Sequence, residues 1–264
     1  MSADDRAPTG VNVHDPYGDG TFSGVRGLVK RLANRLGYDI VRHPSRHSLQ
    51  WHLQLLFARL EINCVLDVGA NLGQYARFLR EHGYQGHIVS FEPVPEAFEQ
   101  LRHAMSGDPK WRGFQYALGE RDGEAGFQVS GGDAQASSLL ELNDEGPKRW
   151  GSDHELARRE TVEVRRLDTV LDTVTEGIPR PRIYLKMDTQ GYDLRVLEGA
   201  GARLPDVLAL QSELAVHEFY QGMTPFAEAL ARFRAYGYAI TGIFPLSREH
   251  DHLRVIEFDC VMMR

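Results

Sequence analysis

Apolar and polar positions alternate in a regular order from residue 62 onward. Five short apolar runs have the length and composition of buried strands: 62–68, 86–91, 112–117, 181–187 and 206–213. Stretches with the period of a helix stand between or after these runs, at about 74–82, 95–105, 192–203 and 225–236. Strands that alternate with helices predict a parallel sheet covered by helices on both faces.

Two later regions break this rhythm. The β-rich runs YAITGIF and VIEFDCVMM are joined by a polar loop with no helix between them, so they predict an antiparallel hairpin at the edge of the sheet. Residues 119–168 depart from the alternation because they are rich in glycine and charge. We expect an insertion there, made of short strands and a loop that acts as a lid over the site.

Residues 1–60 precede the alternating pattern. Residues 1–20 are rich in Gly, Asp and Pro and predict an arm or a lid. Residues 24–36 combine an apolar helical face with Arg and Lys, which fits an accessory helix packed on the domain or on a second subunit, or a helix on a membrane surface. Leucines at 49, 53, 56 and 60 predict another helix. We therefore divide the chain into an arm with accessory helices, 1–60, and a main domain, 61–264.

Charge and composition exclude several classes of protein. The chain has 37 acidic and 30 basic residues, a formal charge of −7, which argues against a broad nucleic-acid surface. No apolar run approaches the roughly 18 to 20 residues of a membrane span. The N-terminal sequence MSADDRAPTG lacks the basic-then-apolar order of a signal peptide, so we expect a soluble, cytoplasmic protein.

The stretch VLDVGANLGQYARFL, residues 65–79, joins the first predicted strand to a helix through a glycine-rich turn. In an open parallel sheet, ligands bind beyond the carboxyl ends of the strands. Gly69 and Gly73 can let the backbone pass close to a ligand, although such glycines can also serve packing alone. Glu92 ends the next strand, nineteen residues beyond Gly73, where an acidic residue can accept hydrogen bonds from ribose hydroxyls. Together these features indicate a bound nucleoside.

The glycine spacing also limits which nucleoside can bind. From Gly69 the chain reads GANLGQ, with Asn71 where a dinucleotide fingerprint needs the glycine that admits a pyrophosphate. A nucleoside with an amino-acid tail and no phosphate suits this turn better. S-adenosylmethionine is such a ligand.

Five segments in order resemble the motifs of FkbM-type S-adenosylmethionine-dependent methyltransferases: VLDVGANLGQYARFL, FEPVPEAFEQL, YALGERDG, SSL at 137–139 and LKMDTQGYDLRVLEGA at 185–200. The resemblance runs from about residue 62 to the C-terminus. It implies a class I, Rossmann-like α/β fold with a seven-stranded, mostly parallel sheet, a C-terminal antiparallel hairpin and helices on both faces. It also implies O-methylation as the usual activity, since many relatives modify sugars, polyketides or other natural products.

The resemblance implies a set of cofactor contacts, which comprises Asp67, Gly69, Ala70, Asn71 and Gly73 around the amino-acid end, Glu92 with Pro93 at the ribose, and Ala117 with Leu118 beside the adenine. Tyr75 departs from the family pattern, where relatives often have a small hydroxyl residue.

The methyl acceptor should meet residues at the ends of two later strands. Asp188 ends the strand RIYLKMD and should project over the cofactor, and Glu213 ends the neighbouring strand. His217 lies four residues further on and would share a face with Glu213 if the segment turned helical. Lys186 is expected as a buried ion-pair partner. The expected contacts of the acceptor are Ser137, Ser138, Gln190 and Tyr192.

Two schemes remain open for the proton of the acceptor hydroxyl. We favour His217 as the general base, with Asp188 orienting the acceptor. In the alternative, Asp188 and Glu213 bind a divalent metal such as Mg²⁺, which lowers the pKa of the hydroxyl.

We expect a small-molecule acceptor such as a sugar, a glycosylated natural product or a glycolipid, and no nucleic acid. A homodimer or a peripheral membrane contact through 24–36 would suit the basic helix. Two other functions remain as alternatives: a binding or scaffold protein that keeps the fold without turnover, and a nucleotide-dependent oxidoreductase, which the glycine pattern disfavours.

Overall fold

The structure is a computed structural model that describes residues 28–29, 32–33, 35–37, 45, 47–130, 137–143, 156–249 and 252–264. The chain forms two compact units, Met1–Ser45 and Arg46–Arg264. In the smaller unit, residues 28–29, 32–33 and 35 are helical, and Leu28, Val29, Leu32 and Leu36 are exposed. The arm predicted for 1–20 lies outside the described residues.

The larger unit is built on a twisted central sheet. Its described strands are β1 Cys64–Val68, β2 His87–Phe91, β3 Trp111–Phe114, β4 Ala117–Leu118, β5 Gly123–Ser130, β6 Leu156–Arg165, β7 Ile183–Met187, β8 Val207–Ala215, β9 Ala239–Arg248 and β10 Val255–Met263. Seven of them form one sheet in the order β3-β2-β1-β7-β8-β10-β9. The neighbouring strands β3, β2, β1, β7 and β8 run parallel to one another, and β10 runs antiparallel to both β8 and β9. This confirms the predicted class I fold with its C-terminal hairpin.

Helices cover both faces of this sheet. In chain order they are α1 Leu49–Leu60, α2 Gln74–Glu81, α3 Pro95–Ala104, α4 Leu167–Val174, α5 Asp193–Glu198 and α6 Phe226–Ala235, with a 3₁₀ helix at Gly201–Asp206. Side chains of β1 alternate between the two layers: Leu66 and Val68 pack with α4, α5 and α6, whereas Val65 packs with α1, α2 and α3. This alternation explains why every position of the strand is apolar or buried.

Helix α1 belongs to the larger unit, although the sequence division at residue 60 placed it with the arm. Ser48 begins the helix, because its side chain accepts a hydrogen bond from the Trp51 backbone N–H at 3.2 Å. Leu53, Leu56 and Phe57 are buried against the sheet. No helix in the described residues is long and apolar enough to cross a membrane.

The insertion forms a second sheet of three strands in the order β4-β6-β5. Strand β5 has 8 residues and β6 has 10, so these two are longer than the short strands expected there. Helix α4 follows directly and was not predicted. Segments 131–136 and 144–155 of the expected insertion lie outside the described residues.

Candidate active site

A cavity of about 500 Å³ opens beyond the carboxyl ends of the parallel strands. It lies where the strand order reverses, with β2 on one side of β1 and β7 on the other. It is lined by most of the residues predicted for the site: Gly69, Ala70, Asn71, Glu92, Pro93, Ala117, Leu118, Ser137, Asp188, Gln190, Tyr192 and Glu213. Four predicted residues are not in its lining: Asp67, Gly73, Ser138 and His217.

The turn after β1 is pressed against the end of β7. Gly69 has a φ of 75°, and a Cβ there would lie 2.0 Å from the backbone oxygen of Asp188. The backbone N–H groups of Gly69 and Ala70 donate to the Phe91 carbonyl at 3.1 and 3.0 Å. Glycine is therefore required at this position, because a side chain would collide with the Asp188 carbonyl and the backbone has a positive φ.

Gly73 has a different task. It has a φ of 83°, and a Cβ there would lie 2.8 Å from the Leu101 side chain. Because Gly73 does not line the cavity, the structure gives it the packing role that such a glycine can also have, at the start of α2.

Glu92 is held in place by the backbone. Its side chain accepts hydrogen bonds from the Asn71 N–H at 2.8 Å and from the Val94 N–H at 2.9 Å. The residue is only 6% exposed, and this burial raises the pKa of Glu92 to about 7, against the opposing effect of the two N–H donors. Each carboxylate oxygen keeps a second acceptor position. The geometry suits the two hydroxyls of a ribose.

Asp67 lies beneath the cavity rather than on its surface. It is 0% exposed, accepts a hydrogen bond from the Ser90 hydroxyl at 3.3 Å, and is 3.6 Å from Lys186 Nζ. Lys186 Nζ also lies 3.1 Å from Asp188 Oδ2 and 5.2 Å from the centre of the Tyr75 ring. The buried ion-pair role expected for Lys186 is confirmed. Through this lysine, Asp67 is linked to Asp188 without facing the cavity.

Apolar side chains form one end of the cavity, where the insertion meets the sheet. Leu118 lines the cavity there, together with Ala117, Val94 and Phe127, which pack in one cluster with Leu139. Such a wall fits the flat, apolar faces of an adenine ring. Together with Glu92, this wall fits the nucleoside part of S-adenosylmethionine.

Carboxylates form the other end. Asp188 and Glu213 face the cavity as expected, and β10 adds Glu257 and Asp259, which sequence analysis missed. Burial raises the pKa of Asp259 to about 6. Burial and then the neighbouring carboxylates raise the pKa of Glu213 well above its ordinary value. The sequence could have indicated these two residues, because they stand at alternate positions of the apolar run VIEFDCVMM and alternate residues of a strand share one face.

The predicted acceptor contacts are largely engaged with the protein itself. The Gln190 amide donates to Asp188 Oδ1 at 3.1 Å and to Glu213 Oε1 at 3.3 Å. The Tyr192 hydroxyl donates to Glu120 at 2.7 Å. Ser137 Oγ accepts from the Ser130 N–H at 3.0 Å.

Ser138 is 1% exposed and lies behind the cavity wall. Its hydroxyl is 3.1 Å from the carbonyl oxygens of Thr189 and Gln190, and it accepts from the Leu140 N–H at 3.1 Å. This serine therefore holds the loop after β7.

His217 is not brought to the cavity, and the helix expected around it is absent. Strand β8 continues to Ala215 and ends in a bend at 216–217, so Glu213 and His217 do not share a helical face. His217 is exposed, with its ring 6.3 Å from that of Phe219. The preference for His217 as the base therefore loses its geometric support.

The described residues contain no group of three or more His, Cys, Asp or Glu side chains arranged to hold a metal ion. The metal scheme thus rests on Asp188 and Glu213 alone.

Comparisons with known proteins identify the family of the chain. The family model of the methyltransferase FkbM domain matches residues 67–240. The chain is 28% identical over 234 residues to 2-O-methyltransferase NoeI of Sinorhizobium fredii (strain NBRC 101917 / NGR234), a match that covers 86% of this chain and 94% of NoeI.

Solved structures show weaker likeness. Aeropyrum pernix fibrillarin with natively bound S-adenosyl-L-methionine matches with 10% identity and a TM-score of 0.43, over 76% of this chain and 66% of that one. The methyltransferase domain of bacterial CtHen1 matches with 8% identity and a TM-score of 0.44, over 83% of this chain and 97% of that one. Since the family match covers more than half of the sequence, the oxidoreductase alternative has no support, and the chain belongs to the FkbM family of S-adenosylmethionine-dependent methyltransferases.

Proposed function

We propose that the protein is an O-methyltransferase that methylates a hydroxyl of a small polar molecule in the cytoplasm, such as a sugar, a glycosylated natural product or a glycolipid. One observation carries the proposal: the cavity has an apolar end with Glu92 and an opposite end lined by carboxylates. The first end fits the nucleoside of the cofactor. The second end offers hydrogen-bond acceptors, which is what a hydroxyl compound needs.

The bound cofactor would supply a reactive methyl group on a sulfonium centre. Glu92 would hold the ribose, and Asp188, fixed by Lys186, would accept a hydrogen bond from the acceptor hydroxyl and orient it. Glu213 Oε would take the proton, because the Gln190 amide joins it to Asp188 and because its raised pKa makes the ionised carboxylate a stronger proton acceptor. Glu213 thus replaces His217 in the proposal.

A sugar-like acceptor is supported by the composition of the same end. Gln211, Glu257, Asp259 and Ser247 line it with polar groups, whereas Leu49 and Leu246 add apolar surface. Oxygen acceptors beside small apolar patches suit the hydroxyls and the C–H faces of a pyranose. The name of the relative NoeI, 2-O-methyltransferase, points to the same reaction class.

The test is a screen of glycosides, lipid alcohols and polyketide alcohols, scored by release of S-adenosylhomocysteine. We expect turnover with a glycoside that Glu213→Gln abolishes. Turnover with amines or thiols alone would overturn the assignment to hydroxyl groups, and turnover with polyketide alcohols alone would overturn the sugar.

The segment 24–36 adds a proposal about partners. Its described residues Leu28, Val29, Leu32 and Leu36 are exposed, which favours contact with a membrane surface or with a second copy of the chain. Sedimentation with anionic vesicles and light scattering of the free protein distinguish the two, with Leu32→Glu expected to reduce whichever contact exists. A monomer that ignores the vesicles would refute both.

A further inference from the structure

The loop after β7 carries a glutamine whose side chain joins the two carboxylates at the acceptor end. Gln190 sits in the left-handed region with a φ of 52°, an uncommon conformation for this residue type. Its Nε2 lies 3.1 Å from Asp188 Oδ1 and 3.3 Å from Glu213 Oε1. One amide therefore connects the ends of β7 and β8.

The other side of this amide is held by a buried tyrosine. The Tyr220 hydroxyl donates to Gln190 Oε1 at 3.1 Å, and Tyr220 is 3% exposed. The backbone around Tyr220 is fixed by a β-bridge to Leu142 and by a 2.7 Å hydrogen bond from the Gln221 N–H to the Glu141 carbonyl. The hydroxyl thus reaches Gln190 from a firmly held segment.

The chemistry of the three partners dictates one orientation of the amide. An amide oxygen only accepts hydrogen bonds, and an ionised carboxylate also only accepts. While the Tyr220 hydroxyl donates to the oxygen, the NH₂ group must face Asp188 and Glu213. Without that hydroxyl, the amide can turn and set its oxygen against a carboxylate, which is repulsive.

We propose that Tyr220 is a positioning residue for methyl transfer: its hydroxyl fixes the Gln190 amide, and this amide holds the carboxylates of Asp188 and Glu213 toward the acceptor. The proposal rests on the proposed function insofar as these carboxylates orient the hydroxyl and accept its proton. It assigns Gln190 to the carboxylates rather than to the substrate.

The Gln190 amide also counteracts the neighbouring negative charges, which disfavour the ionised form of Glu213. The charged groups that face Glu213 are Asp188 and Lys186 from the β7 side, and Glu257 and Asp259 from β10. Three of these four are carboxylates, which disfavour a further negative charge, and Lys186 favours it. An N–H donor from Gln190 stabilises ionised Glu213 as well, so loss of its alignment raises the pKa of Glu213.

The experiment compares Tyr220→Phe with Gln190→Met and with Tyr238→Phe as a matched control. Tyr238 is equally buried, at 2%, and its hydroxyl donates to the Val207 carbonyl at 2.9 Å, away from the cavity. The pKa of Glu213 is read by ¹³C NMR titration of the S-adenosylhomocysteine complex, with Glu213→Gln for assignment. Where the screen has found an acceptor, kcat and KM are measured across pH.

We expect the pKa of Glu213 to rise by roughly 0.5 to 1 unit in Tyr220→Phe and by at least as much in Gln190→Met, with no change in Tyr238→Phe. The kcat of Tyr220→Phe should fall about five- to tenfold while KM stays within about twofold. An unchanged titration in Tyr220→Phe overturns the proposal, and so does an equal shift in Tyr238→Phe.

The proposal can be tested even if one of the variants does not fold. If Tyr220→Phe does not fold, Gln190→Met decides: a rise in the pKa of Glu213 supports the proposed role of the amide, and no rise refutes it. If wild-type protein binds S-adenosylhomocysteine but methylates no hydroxyl compound, the proposed function fails, whereas the titration still tests the link from Tyr220 to Glu213.

Discussion

The two ends of the cavity are built in different ways. At the cofactor end, backbone groups do most of the positioning: the turn at Gly69 hydrogen-bonds to β2, and two N–H groups hold the Glu92 carboxylate. At the acceptor end, side chains from three strands hold one another, with Lys186 and Gln190 between the carboxylates. The contacts of the first end join β1 and β2, which follow one another in the chain, whereas the second end takes residues from β7, β8 and β10.

This difference separates binding from chemistry. A backbone cradle keeps its shape when nearby side chains change their charge, which suits binding of the cofactor, while the charge of Glu92 itself still follows pH. A cluster of buried and half-buried carboxylates changes its charge with pH and with the substrate, which suits the movement of a proton. Substitutions at the cofactor end should therefore lower cofactor affinity or stability, whereas substitutions at the acceptor end should lower kcat.

The largest expected effect is at the acceptor end. Glu213→Gln keeps the shape of the side chain but cannot take a proton, so kcat should fall by about 10²- to 10⁴-fold, the range typical of a general base. Steady-state kinetics with an acceptor from the screen measures it. Glu198→Gln, which removes a surface partner of Arg232, is the control and should stay near wild type. A near-normal kcat in Glu213→Gln would reject it as the base.

At the cofactor end the backbone itself is the target. Gly69→Ala forces a Cβ to within 2.0 Å of the Asp188 carbonyl and an alanine into positive φ, so it should lower the free energy of unfolding by about 3 kcal/mol. Gly83→Ala also requires a positive φ, of 87°, but a Cβ there would have no atom within 4 Å, so it should cost only about 1 kcal/mol. Urea unfolding measures both. Equal losses of unfolding free energy in the two variants would show that the contact between Gly69 and the Asp188 carbonyl does not matter.

A pH titration tests whether the charge of Glu92 matters for binding. Ribose hydroxyls donate to the ionised carboxylate, and the pKa of Glu92 is about 7, so affinity should rise as pH rises through 7. Between pH 6 and pH 8 the ionised fraction grows about tenfold, and the affinity for S-adenosylhomocysteine should grow in proportion. Glu92→Gln should remove this slope. An affinity that falls with pH in wild type would contradict the assignment.

The smallest effect is expected at His217. Because this side chain is exposed and outside the cavity lining, His217→Ala should leave kcat within about twofold of wild type. A loss of 10²-fold or more would restore histidine as the base and bring the segment after β8 into the site.

The contrast also explains what the sequence could predict. Gly69, Asn71 and Glu92 lie within contiguous motifs, where a strand, a turn and a helix follow one another, so local pattern was enough to find them. Glu257 and Asp259 reach the site only through the pairing of β10 with β8, which is a property of the folded sheet. The links from Tyr220 and Lys186 are side-chain contacts across the sheet, which spacing does not encode.

The two misjudged elements have simple physical causes. His217 was placed by assuming a helix after Glu213, but the antiparallel partner β10 extends β8 to Ala215 and delays the turn. Strands β5 and β6 pair with each other along most of their length, and the charged residues of LARRETVEVR obscured the length of β6. In both cases long-range strand pairing overrode the local pattern.

The most direct measurement of this division is calorimetric titration of S-adenosylhomocysteine into Glu92→Ala and Glu213→Gln. Glu92→Ala should weaken binding by about 10²-fold, because the ribose hydroxyls lose their charged acceptor, whereas Glu213→Gln should change it by less than about threefold. Unchanged affinity in Glu92→Ala, or an equal loss in both variants, would contradict the separation of a cofactor end from an acceptor end.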